Sequence, residues 1–175
     1  AISINGFAGS VNDDDFFANS ITGNVTISDA AGNTGNAYVR SNTFYGDFSY
    51  TQNGNITFQE GHSGGFNRYH GNISYTRNNG TMRLALSAPV IHQNLTLNSA
   101  SGISFSDTLK FESASSSVIE QTGTQPIVFT KMLVNKSNGA TISLIDSVTV
   151  SNKLTFVNGI IISSPGKLIF AAGSS

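Results

Sequence analysis

Apolar and polar residues alternate along this chain in short runs, and the runs recur. Ile21-Thr-Gly-Asn-Val-Thr-Ile27, Phe44-Tyr-Gly-Asp-Phe-Ser-Tyr50, Tyr69-His-Gly-Asn-Ile-Ser-Tyr75 and Ile91-His-Gln-Asn-Leu-Thr-Leu97 follow one pattern, with turn positions Gly23, Gly46, Gly71 and Gln93 spaced by 23, 25 and 22 residues. A period of two puts Val25 and Ile27 on one face and Asn24 and Thr26 on the other. The equivalent inward pairs are Phe48/Tyr50, Ile73/Tyr75 and Leu95/Leu97, and the equivalent outward residues are Ser49, Ser74 and Thr96. A second strand is predicted in each repeat, over 36–39, 55–58, 81–84 and 102–105, with turns at Asn53-Gly54, Asn79-Gly80 and Ser101-Gly102. Gly and Asn tolerate the backbone conformations that such turns need.

Two arrangements use this pattern. Asn-Gly between alternating strands is a hairpin signal and would build an antiparallel meander. Like residues recur at a fixed period, however, and are not mirrored about each turn, which favours the stacked coils of a parallel β-helix. The expected fold is therefore all-β, a β-solenoid of about seven coils of roughly 22–25 residues rising about 34 Å in total. One domain spans 1–175, with regular repeats over about 16–112 and tighter, more apolar coils over about 126–170. In the latter stretch, strands at 127–129, 133–134, 142–145, 148–150, 154–156, 160–162 and 168–170 are separated by Asn138-Gly139, Ser151-Asn152, Asn158-Gly159 and Pro165-Gly166. The serines of 113–117 read as one polar coil edge. Neither end shows a polar or helical cap, which predicts a rod covered by flanking domains or by copies of itself.

Composition narrows the class. Only 11% of residues are charged, against about 25% for an average domain. The polar part is mostly Ser, Thr, Asn and Gly, while 12 Phe and 5 Tyr argue against disorder. A net charge of −1 with nine basic residues scattered from Arg40 to Lys167 argues against nucleic acid as a partner. No apolar run is long enough for a membrane-spanning helix, so no membrane insertion is expected. A signal-peptide pattern is also lacking, so an exported chain is expected as a mature form or an excised segment. Without cysteine there is no disulfide framework, and the redox compartment stays open.

The stretches Asn42-Thr-Phe-Tyr-Gly-Asp-Phe-Ser49 and Asn67-Arg-Tyr-His-Gly-Asn-Ile-Ser74 resemble repeats of large exported surface proteins and adhesins of Bacteroidota-type bacteria. The stretch from Leu133-Val-Asn-Lys-Ser-Asn-Gly139 to Val148-Thr-Val-Ser-Asn-Lys-Leu-Thr-Phe-Val-Asn-Gly159 resembles a second repeat style from such proteins. The resemblance covers about residues 16 to 170. It implies an extracellular or outer-surface location, often reached by type IX secretion, and a structural or adhesive role. The sorting domain typical of that route is not visible.

Candidate chemistry is sparse. Asp13, Asp14 and Asp15 are the densest charge, and clustered carboxylates suit Ca²⁺. The favoured reading is a solvated turn, with Ca²⁺ the alternative, and no cofactor is otherwise expected. His70 and His92 share a repeat position with Thr22 and Tyr45, so stacking would bring them together, without an evident third metal ligand. Asn24, Asp47, Asn72 and Asn94, beside Gly23, Gly46 and Gly71, form a column read as a structural amide ladder. Phe66, Tyr69 and Tyr45, with Asn67 and Arg68 nearby, are candidates for stacking on surface glycans, although their repetition fits coil packing at least as well. With one hydroxyl per coil, the Ser/Thr column is a poor ice-binding array. No nucleophile elbow, paired-carboxylate spacing or phosphate loop is found, so no catalytic residue is assigned and the chain is read as a non-enzyme. A carbohydrate-binding or carbohydrate-cleaving β-helix is the alternative.

Overall fold

The computed structural model describes residues 2–7, 14–99, 102–165 and 167–174. The chain is all-β, a stack of coils whose strands form three parallel sheets. The first sheet has eight strands, the second five and the third eight. Successive coils pair in register. Ile2 lies against Val25, Val25 against Phe48, Phe48 against Ile73, Ile73 against Leu95 and Leu95 against Ile119. About seven turns result, as the repeat period predicts.

Each regular coil visits the first, second and third sheets in turn. The strands Phe48–Gln52, Asn55–Glu60 and Arg68–Tyr69 make one such circuit. The third sheet is the one the sequence pattern did not separate. Its early strands, such as Thr43–Phe44 and Arg68–Tyr69, are two residues long. Tyr69, a candidate for sugar stacking or coil packing, is buried at 1% exposure and stacks on Phe44 at 5.1 Å. In a two-residue strand only one of the pair can face outward, and here that residue is Arg68.

The core is a set of columns. Val25, Phe48, Ile73, Leu95 and Ile119 form one, and Ile27, Tyr50, Tyr75 and Leu97 the next. Ala37, Phe58 and Met82 supply the second sheet's wall. Tyr50 and Phe58 stack across the interior at 3.8 Å. This is the inward set the alternation predicts.

After Phe105 the second sheet stops, and its corner with the third straightens into long strands, Ile127–Lys136 and Val148–Asn158. A register shift between Phe129 and Lys131 absorbs what is left of the bend. The last inward tier includes Leu154, Phe156 and Phe170, and Phe156 remains 52% exposed.

Gly46 and Gly71 are required by close approach between coils. A Cβ on Gly46 would lie 2.6 Å from the carbonyl carbon of Gly23, and one on Gly71 would lie 2.4 Å from that of Gly46. Backbone occupies those positions and cannot yield without separating the coils. Gly71→Ala is therefore expected to destabilise the fold by about 2 kcal/mol or more. Gly102→Ala, with no heavy atom within 4 Å of the new Cβ, should stay within about 0.5 kcal/mol. Urea titration of the two variants measures the difference; equal midpoints would show that the glycine column is not under steric constraint.

Candidate functional site

Three kinds of position divide the polar side chains: corners, buried charges and outward faces. The corner from the third sheet to the first carries the expected amide column. The backbone N–H of Asp47 donates to Asn24 Oδ1 at 3.0 Å, that of Asn72 to Asp47 Oδ1 at 2.8 Å, and that of Val118 to Asn94 Oδ1 at 2.8 Å. The Asn94 N–H to Asn72 Oδ1 link is longer, 3.4 Å. Each side chain thus accepts from the following coil. Asp47 serves as a member of the ladder, also accepting from Asn72 Nδ2 at 3.0 Å.

The corner from the second sheet to the third holds a buried ladder that sequence reasoning missed. Asn19 N–H donates to Asn42 Oδ1 at 3.0 Å, and Asn42 N–H to Asn67 Oδ1 at 2.9 Å. Asn42 and Asn67 are fully enclosed, and Asn67 Nδ2 donates to Val39 O at 2.8 Å and to Glu60 Oε1 at 2.5 Å. The available signal was the recurrence of Asn two residues before Ile21, Phe44 and Tyr69. Pro89 lies at the corner before Val90, which pairs with Arg68, so the Asn ladder stops at Asn67.

Glu60 is buried at the end of that ladder. Its Oε2 accepts from Ala85 N–H at 2.9 Å, and its Oε1 also accepts from Tyr69 OH at 3.3 Å. Tyr69 OH in turn meets Tyr75 OH at 3.0 Å. Burial pushes the Glu60 carboxyl up to about 7 despite these donors. Lys136 is the buried cation. Its Nζ donates to Ser117 Oγ at 2.6 Å, Ser115 O at 2.9 Å, His92 O at 3.0 Å and Ser113 Oγ at 3.1 Å. Those acceptors are all neutral, and burial pushes the ammonium down to about 8. The serines of 113–117, read as a polar edge, thus form a cage for Lys136. Asp29 caps another corner by accepting from Asn53 N–H and, at 3.1 Å, from Gly54 N–H, and burial raises its pKa.

The outward face of the third sheet brings basic and aromatic side chains together. Register aligns Thr43, Arg68, Val90 and Lys110 in one column, in which Val90 is covered at 3% exposure, and Thr108, Lys131 and Lys153 in another. Basic residues scattered in sequence thereby come to share a sheet. Tyr45 and His70 stack at 4.8 Å with 8° between their planes, and His92 meets His70 edge-on at 4.3 Å. The predicted column through Tyr45, His70 and His92 is present. Beside it lies a groove of about 290 Å³ lined by Ser41, Asn42, Thr43, Gly64, Gly65, Phe66 and Arg68. Phe66 is 47% exposed, with Lys110 Nζ 6.0 Å from its ring centre. No carboxylate lines this groove.

Of the proposed calcium ligands, Asp13 lies outside the described residues. Asp14 belongs to the strand Asp14–Phe17, and Asp15 is held by Arg40, whose Nε donates to its Oδ2 at 2.9 Å. Among the described residues no group of three or more His, Cys, Asp or Glu is placed to hold a metal ion. No helix among them is long and apolar enough to cross a membrane. No protein-family model, curated protein or solved structure matches the chain.

Two buried groups should give the stability opposite pH slopes. Glu60 titrates at about 7 in the fold and 4.5 when unfolded, so it removes about 3 kcal/mol of stability as pH rises through that window. His92 is pushed down to about 4, first by burial and then by His70, Arg68 and Lys136. It removes stability as pH falls from 6.5, by less than Glu60 because its ring is only partly buried. Asp29, raised by burial, adds to the first slope, and His70, lowered mainly by burial, adds to the second. Urea midpoints of Glu60→Gln should therefore fall on acidification, and those of His92→Gln should fall as pH rises. Parallel profiles for the two variants would contradict this assignment.

Proposed function

We propose that the chain is a non-catalytic β-solenoid segment of an exported bacterial cell-surface or extracellular protein, serving as a stiff spacer or adhesive rod. The observation that carries this reading is where the polar groups are spent. Asn42, Asn67, Glu60, Asp29 and Lys136, all buried polar side chains, are committed to holding one coil to the next. A catalytic site needs acids and bases held in a cleft with room for a substrate. The groove at Phe66 has the room but no carboxylate. Low charge and a surface of Ser, Thr and Asn suit a rod that must stay soluble while presenting long faces. The resemblance of 42–49 and 67–74 to repeats of exported surface proteins supports the extracellular location.

Flanking domains or copies of the same chain would cover the terminal tiers, since a head-to-tail contact that does not close propagates into a filament. The second reading, a carbohydrate-binding β-helix, is favoured by Tyr45, His70 and Phe66 on the third sheet's outer face.

Small-angle scattering joined to light scattering and electron microscopy tests the rod. The expected result is a rigid elongated particle whose mass grows in whole subunits with concentration. A flexible or globular profile would refute it. Incubation with acidic and neutral polysaccharides should yield no new reducing ends or unsaturated products, and sustained cleavage would overturn the non-catalytic assignment.

A further inference from the structure

We infer that the groove beside Phe66 and the Tyr45–His70 stack form one binding site for an anionic glycan lying along the coil axis. The shared ligand chemistry is a polysaccharide bearing carboxylate or sulfate groups at intervals. This inference extends the carbohydrate-binding reading above and does not depend on how the rod assembles.

The site is built by a local departure from the coil. After the strand Asn55–Glu60 the chain makes a short 3-10 turn, His62–Gly64, entered through Gly61 at φ 80° and left through Gly64 at φ 81°. On the preceding coil Ser41 also adopts a positive φ, 57°. These turns open the groove and leave Phe66 standing at its rim. Arg68 and Thr43 also line it, in the column that Lys110 continues.

Charge selects the occupant. The described ion pairs are Arg40 with Asp15 and Lys131 with Asp107, so neither Arg68 nor Lys110 has an acidic partner among the described residues. One coil, at Val90, separates them, which sets the two cations about 10 Å apart along the axis. A sugar residue in an extended glycan advances by roughly one inter-strand spacing. An acid on every second sugar would therefore meet both cations in turn. The Tyr45 ring, half exposed and stacked on His70, offers aromatic surface to a pyranose. Ser41 and Thr43 offer hydroxyl partners for the sugar's own hydroxyls. Nucleic acid is the less suitable polyanion, because its phosphates are closely spaced and need denser basic contacts than this face supplies.

The test is titration calorimetry of the whole 175-residue chain with polygalacturonate, chondroitin sulfate, dextran and single-stranded oligothymidylate at low and raised salt. Expected is salt-sensitive binding of an acidic glycan and none of dextran; the uronate and sulfate arms identify which anion is preferred. Arg68→Gln combined with Lys110→Gln should weaken binding about tenfold or more, and Tyr45→Ala should weaken it several-fold. Arg83→Gln, exposed on the second sheet, should leave it unchanged, and thermal melts establish that every variant is folded. Equal affinity for dextran, no binding of either acidic glycan, or tighter binding of oligothymidylate would overturn the inference. Since none of these residues joins coils, failure here would leave the scattering profile of the rod untouched.

Discussion

Every corner of a stacked coil leaves backbone groups that no strand ladder can satisfy, and this chain meets that constraint with side chains reaching from the adjacent coil. Within the sheets the parallel register takes care of N–H and C=O groups. At a corner the chain turns out of the sheet, and an unpaired buried amide costs on the order of 1–3 kcal/mol. Asn suits the task because one carbonyl oxygen and one amide can serve two coils together. Asn42 and Asn67 do this in full burial. Asn24, Asp47 and Asn72 do it at a solvent-facing corner, where carboxylate and amide interchange freely because water shares the load. The spacing of the sequence repeat is therefore set by the corners as much as by the strands.

The buried charges follow from the same constraint. Where the inner Asn ladder ends, Glu60 receives Asn67 Nδ2 and the Ala85 N–H together. Where the Gly-Asn turn gives way to serines, Lys136 fills the corner from within and gathers oxygens belonging to His92, Ser113, Ser115 and Ser117. Neither charge has a counter-ion. Each is solvated by neutral groups, so each carries a displaced pKa as the cost of closing a corner.

The parts of this architecture legible in the sequence are those with a sustained period. Val25/Ile27, Phe48/Tyr50 and Ile73/Tyr75 alternate over whole strands, and their burial follows directly. The Asn24–Asp47–Asn72–Asn94 column was legible because it sits beside the recurring glycine. Thr43–Phe44 and Arg68–Tyr69 were not, since two residues make no period, and Tyr69 was consequently left between sugar stacking and coil packing. Glu60 and Lys136 left no local trace. Their burial depends on which residues of three successive coils meet at a corner, and that is a property of register. The same holds for Arg68, Lys110, Lys131 and Lys153, which share a sheet only once the coils are stacked.

Register also explains why binding chemistry belongs on the outer face of the third sheet. Inward positions are fixed by packing and corner positions by backbone satisfaction, so only outward columns are free to vary without cost to the fold. The first sheet spends its outward positions on two neutral columns, Thr26, Ser49, Ser74 and Thr96 beside Ser28, Thr51, Thr76 and Asn98. The second sheet ends at Phe105 and offers a short face. The third runs through eight strands and carries aromatic rings beside Arg68 and Lys110, which have no acidic partner among the described residues. A long, straight ligand with a repeat near the coil spacing gains one set of contacts per coil on such a face. Contacts that accumulate along a rigid column require no further ordering of the protein, so affinity can grow with ligand length. The rigidity imposed by the corners is what makes this possible, which ties the binding face to the amide ladders beneath it.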